Sequence, residues 1–133
     1  MKKEFISDFN LACEQQSISN ELPDVSKFRP NMQAHALALH KLGILADANN
    51  AIVIENGDAE KDIDPKDDSQ YKYLPVFIRI PDSGVPRGVR LAFRVSGFSH
   101  ASAGLGCRPT YVTRQLSDFM AANFHELYED LNC

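Results

Sequence analysis

Two segments, Leu74-Pro75-Val76-Phe77-Ile78-Arg79-Ile80 and Val89-Arg90-Leu91-Ala92-Phe93-Arg94-Val95, sort their side chains into two sets that alternate residue by residue. A period of two is that of a strand, whose successive side chains point to opposite faces. In the first segment Leu74, Val76, Ile78 and Ile80 form one set and Tyr73, Pro75, Phe77 and Arg79 the other. In the second, Val89, Leu91, Phe93 and Val95 alternate with Arg90, Ala92, Arg94 and Ser96. Pro81-Asp82-Ser83-Gly84 and Pro86-Arg87-Gly88 lie between them and supply turn chemistry. An antiparallel hairpin follows. Pro75 has no amide to donate, which places the first strand at an edge or starts it after that residue.

Pairing Ile80 with Val89 sets the register expected from the sequence. Arg79 then faces Arg90, Phe77 faces Ala92 and Pro75 faces Arg94. Like charges directly opposite destabilise a sheet, so something must offset them: an acidic side chain, an anionic ligand or a protein partner. Tyr73 and Phe77 beside Arg79, Arg90 and Arg94 also make the aromatic and basic surface on which single-stranded nucleic acids stack. The formal net charge of −4, from 14 basic and 18 acidic residues, speaks against electrostatic coating of nucleic acid. A protein or small anionic partner fits better.

Outward from the hairpin, the pattern is helical. Phe5, Phe9, Ala12 and Cys13 recur at helical spacing, which predicts a helix over 4–16. Pro23 and Pro30 break the connector that follows. Asn31 is placed to cap a second helix from Met32 to about Leu42, stopped by Gly43. Ala51-Ile52-Val53-Ile54-Glu55 is a β-branched run bounded by Asn49-Asn50 and Asn56-Gly57. It reads as a buried strand with a hairpin signal after it. Residues 58–70 are acidic and polar and read as an exposed, mobile loop. After a flexible stretch over 99–108, Pro109 suits a helix start, and Val112, Leu116, Phe119, Met120, Phe124, Leu127 and Leu131 draw one apolar stripe to the end of the chain.

The fold class expected is α+β: two N-terminal helices, a small, mostly antiparallel sheet of three or four strands, and a long C-terminal helix packed on one sheet face. A chain of 133 residues is the size of one domain, here 1–133, and buries enough surface to need no staple. The core should hold Phe9, Leu37, Ile52, Ile54, Val76, Ile78, Leu91, Phe93, Val95, Leu116, Phe119 and Leu127. Cys13, Cys107 and Cys133 are widely spaced, with no CxxC pair. They read as free thiols in a soluble, cytoplasmic protein. No signal-peptide core follows Met1-Lys2-Lys3, and no uninterrupted apolar run approaches the ~20 residues of a membrane span.

A second candidate site precedes the last helix. Gly104 and Gly106 allow close backbone approach, helix N-termini attract anions, and Arg108 and His100 add a charge and a donor. Cys107 at a helix start could carry a lowered pKa and, with His100, nucleophilic chemistry. The stretch matches neither the Walker A pattern nor GxGxxG. The phosphatase-type loop is not met either, since Thr113 stands where its arginine is required. His35 and His40 are five apart, not the four that share a helix face. The acidic run Asp58, Glu60, Asp62, Asp64 lacks the glycine and glutamate of a calcium loop. No lysine cluster on the last helix supports double-stranded RNA binding. No cofactor or metal is expected. A self-associating homodimer, non-enzymatic and using the arginine and aromatic sheet face, is the leading functional expectation. A small enzyme or anion-binding protein using His100, Cys107 and Arg108 is the alternative.

Overall fold

The computed structural model describes residues 2–67, 69–84, 89–99 and 109–132. The order is α1 (Phe9–Gln15), α2 (Pro30–Glu55), β1 (Lys72–Pro81), β2 (Val89–Ser99), α3 (Arg114–Asn123) and α4 (His125–Asn132). The class is α+β. Among the described residues the sheet has two antiparallel strands, not three or four. Beside it lies a single isolated bridge, in which Tyr73 and Tyr111 exchange both backbone hydrogen bonds at 2.9 and 2.8 Å.

The missing strand is inside a helix. The β-branched run Ala51–Glu55 is the last part of α2, which runs 26 residues without interruption. β-Branched residues cost a helix only about 0.5 kcal/mol each. Fully burying an Ile or Val side chain returns about 1.5–3 kcal/mol, and Ile52 and Val53 are both buried. Packing therefore overrides propensity. Asn56-Gly57 then closes α2 instead of turning a hairpin. Gly57 adopts φ +79°, its amide donates to Ile54 O and that of Asp58 to Val53 O. This is the Schellman arrangement, which needs the left-handed backbone that glycine reaches freely.

The second helix begins with Pro30 as its first residue, not after an Asn31 cap, because a helix N-terminus leaves the amide that proline lacks unused anyway. Gly43 does not stop it. A Cβ there would meet nothing within 4 Å. Gly43→Ala should accordingly raise stability by about 0.5–1 kcal/mol, read as a shift of the urea midpoint without change of slope.

α2 is apolar around most of its circumference and so becomes the axis of the fold, with α1 and α4 along it and α3 between it and the hairpin. By length and composition it could also cross a bilayer, but half of its most apolar window is buried in the fold. The core gathers Ala12, Leu42, Leu45, Ala48 and Val53 with Tyr111, Leu116, Met120, Phe124 and Tyr128. The Tyr111 and Tyr128 hydroxyls hydrogen-bond to each other at 2.5 Å inside it, which satisfies two polar atoms that would otherwise be costly to bury.

α1 is shorter than expected. Asp8 Oδ1 accepts from Asn10 N and caps the helix, while residues before it leave the helical path and run beside α2. The last apolar stripe is also broken. Thr113 Oγ1 accepts from Leu116 N and starts α3, so Pro109 lies outside the helix. Phe124, at φ −126° and ψ 33°, separates α3 from α4 and is itself buried against the Phe119 ring.

Candidate functional site

The hairpin lies on the helices by the face opposite to the one expected. Phe77 sits at 5.1 Å from the Tyr128 ring, 5.7 Å from His125 and 5.9 Å from Phe93. Val76 and Ile78 point away. The observed register pairs Arg79 with Leu91, Ile80 with Arg90, Ile78 with Ala92, Phe77 with Phe93 and Val76 with Val95. Arg94 is left over between the last two pairs, as a β-bulge. One extra residue reverses the alternation along β2. Leu91 turns inward and is buried, Phe93 lies beside Phe77 but stays 39% exposed, and Val95, in the same expected set, turns outward.

Helix side chains hold β2 in place through its backbone. His125 Nε2 lies 2.6 Å from Leu91 O; a carbonyl only accepts, so this nitrogen carries the hydrogen. Arg114 donates to Ser96 O at 2.5 Å. Ser96 Oγ is buried 2.6 Å from Asp118 Oδ1 and 2.7 Å from the Ser117 hydroxyl. The carboxylate fixes Ser96 as donor to Asp118 and acceptor from Ser117. Two carbonyls of β2 are thus already occupied, which blunts that edge against further pairing.

The outer face is an aliphatic stripe two side chains wide: Leu74 across from Gly97, Val76 from Val95, Ile78 from Ala92, Ile80 from Arg90. Val76, Ile78 and Val95 are 40%, 42% and 48% exposed. Gly97 brings the backbone under Val76, with an ideal Cβ position only 3.3 Å from Val76 Cγ2. At the turn end, Arg90 Nε lies 3.5 Å from Asp82 Oδ2.

Among the described residues, the sequence-predicted site residues Tyr73, Phe77, Arg79, Arg90 and Arg94 do not converge. Tyr73, Phe77 and Arg79 take the helix-facing side of β1, and Phe77 is absorbed into packing. Arg90 stands on the outer face beside Asp82, and Arg94 at the bulge. The expected opposition of Arg79 and Arg90 does not occur, because the register is one residue away. Tyr73 carries the Arg114 guanidinium 5.6 Å above its ring. Tyr71 and Phe98, both exposed, meet edge to face at 5.0 Å at the base of the hairpin. His100, Gly104, Gly106, Cys107 and Arg108 lie outside the described residues. In sequence, α3 starts at Arg114, six residues beyond Arg108.

A shallow cleft of about 380 Å³ opens between the 59–70 segment and Tyr71, Tyr73 and Val112. Lys61 and Asp67, two of its charges, face each other. Lys61 pairs with Asp67 and lies 3.9 Å from Asp64, and hydrogen bonds from Lys61 and Ser69 hold the Asp67 carboxyl far below the usual range. Asp62, Asp64 and Asp67 each accept from a backbone amide one or two residues on. Lys72, 1% exposed, donates to Asp67 O at 2.7 Å and ties the segment to β1. The loop is held by local turns, and among the described residues no three His, Cys, Asp or Glu side chains are grouped for a metal. His35 and His40 also separate: His35 Nδ1 lies 2.8 Å from Leu131 O, while His40 stands beside the Phe9 ring.

Nearby, partial burial and the facing Asp62 carboxylate raise the Asp47 carboxyl above its ordinary 3.8. A raised carboxyl is costly when ionised; the cost is full above the folded value and vanishes below the unfolded one. Asp47→Asn should raise the Tm by about 1–2 °C at pH 7, small because the group is partly open to water. At pH 3 it should change nothing.

The residues missed by sequence reasoning are three asparagines, Asn49 and Asn50 on α2 and Asn56 at its C-cap. Asn50 is buried; its Nδ2 donates to Thr110 O and its Oδ1 accepts from Val112 N, both at 3.0 Å. Asn49 and Asn56 do the same for the segment before α1. Asn49-Asn50 in an apolar stretch was the available signal, since a polar pair between buried residues must be satisfied. Compared with protein-family models, curated proteins and solved structures, the chain matches none.

Proposed function

We propose that this chain is a small binding protein that self-associates through the outer face of its hairpin. The observation that carries the reading is the uncovered stripe Val76, Ile78 and Val95, flanked by Leu74, Ile80 and Ala92. A two-stranded ribbon is marginal by itself. This one has one face on α3 and α4, while the other carries β-branched residues of the kind that close against another sheet. Contiguous exposed apolar surface marks interaction sites, and a two-fold dimer pairs one patch with itself. A dimer built this way has four strands, two from each chain. Arg90 and Asp82 at the turn end would sit on the polar rim, and Arg79 and Arg94 away from the contact centre. This moves the binding surface from the arginine and aromatic set to the aliphatic one.

Sedimentation equilibrium from 1 µM to 1 mM tests it. The wild type should be dimeric at the upper end, and Val76→Lys, which places a charge at the centre of the patch, should weaken the dimer at least about 100-fold, an expected loss of about 3 kcal/mol. A wild type monomeric at 1 mM overturns the proposal.

A further inference from the structure

Residues 2–7 are held against α2 as a bound peptide would be. Asn56 Oδ1 accepts from Lys3 N at 2.8 Å and its Nδ2 donates to Lys3 O at 2.9 Å. Asn49 Oδ1 accepts from Ile6 N at 2.7 Å and its Nδ2 donates to Ile6 O at 3.0 Å. Each carboxamide therefore reads one residue's backbone amide and carbonyl together, the way a neighbouring strand would. The spacings agree. Seven residues of helix rise about 10.5 Å, and three residues of extended chain span about 10 Å. The segment runs antiparallel to α2, its start near the helix end.

Side chains add a second layer of recognition. Lys3 Nζ lies 2.7 Å from Glu55 Oε2 and Lys2 Nζ 2.5 Å from Asp58 Oδ1. Phe5 packs edge to face on Phe119 at 5.1 Å. The backbone bonds carry no sequence information, while the acid pair and the Phe119 ring select two basic residues and, two positions after the second, an aromatic. The matched sequence is Lys2-Lys3-Glu4-Phe5-Ile6, and every further copy of the chain carries it.

We propose that α2, Glu55, Asp58 and Phe119 form an extended-peptide site that accepts the N-terminal arm of a second copy, the chain's own arm being its intramolecular competitor. The site is separate from the hairpin face. A tethered competitor acts at an effective concentration of about millimolar, so occupancy in trans is masked unless the resident arm is displaced or weakened.

Two measurements decide it. In the full chain with a fluorinated phenylalanine at position 5, titration with the peptide Lys-Lys-Glu-Phe-Ile-Ser should move the fluorine resonance to its free-arm position at low-millimolar peptide. The same peptide N-methylated at its Ile amide should fail, because it cannot donate to Asn49. An unmoved resonance at about ten times that concentration, or equal displacement by both peptides, overturns the proposal. The second measurement mixes full chains carrying Asn56→Ala, whose arm is loosened, with chains carrying Phe5→Ala and Ile6→Ala, whose site is emptied. The mixture should associate more strongly than either chain alone, a gain that hairpin-face dimers do not produce. No gain overturns exchange between copies. If either variant fails to fold, the peptide titration on the unaltered site remains decisive.

Discussion

Asn49→Ala should destabilise the protein by about 3 kcal/mol, a fall in Tm of about 10 °C for a domain of this size. The side chain is fully buried and accepts from Ile6 N while its Nδ2 donates to Ile6 O and Leu45 O and reaches Met120 Sδ at 3.8 Å. Alanine leaves the partly buried Ile6 amide and carbonyl without these partners, and unmade bonds of buried groups cost more than made ones contribute. Asn49→Asp sharpens the test. An ionised carboxylate still accepts from Ile6 N but faces the Ile6 and Leu45 carbonyls with no hydrogen to donate. Its deficit should exceed that of alanine at pH 7 and shrink as pH falls and the acid regains a donor. Thermal unfolding of both variants at pH 7 and pH 4 checks this. Equal stability of wild type and Asn49→Ala would mean that the arm is not held as described.

The second large effect separates the two faces of the hairpin. Phe77→Ala should cost about 2–3 kcal/mol, below the full-burial range because the side chain is only partly buried, as contacts with Tyr128, His125 and Phe93 are lost. Ile78→Lys, one residue along, should change stability by less than about 0.5 kcal/mol, since its side chain points to solvent. The alternation alone assigns the opposite outcome, with Ile78 inside. Urea unfolding of the two variants at micromolar protein, where a face-mediated dimer is dissociated, decides between the faces. Ile78→Lys should then show its effect only at high concentration, as lost self-association.

What could be read from the residues, and what could not, follows from the range of the forces involved. The hairpin was legible because period-two alternation and the Pro-Asp-Ser-Gly turn are local. The α+β class and the apolar stripe of the C-terminal helices were legible for the same reason. Which face of the hairpin is covered was not. Both sets are apolar enough to bury, and the choice falls to Tyr128 and His125, which approach from about 50 residues away in sequence and receive Phe77. The bulge at Arg94 was equally hidden, since one extra residue leaves no mark in composition and yet turns Val95 outward.

Ala51–Glu55 shows the limit most clearly. Its β-branched residues favour a strand by local preference, but a helix places Ile52 and Val53 in the core and brings Asn49, Asn50 and Asn56 to three passing backbones. Sequence by itself determined the strand periods and the apolar stripe of the C-terminal helices, because those depend on neighbours along the chain. Only the tertiary structure decided that α2 runs unbroken, that residues 2–7 lie extended on it and that the aliphatic face of the hairpin is left open. Each of these outcomes is set by burial and hydrogen bonding between segments far apart in sequence, whose combined free energy exceeds the few tenths of a kcal/mol per residue that local propensity supplies.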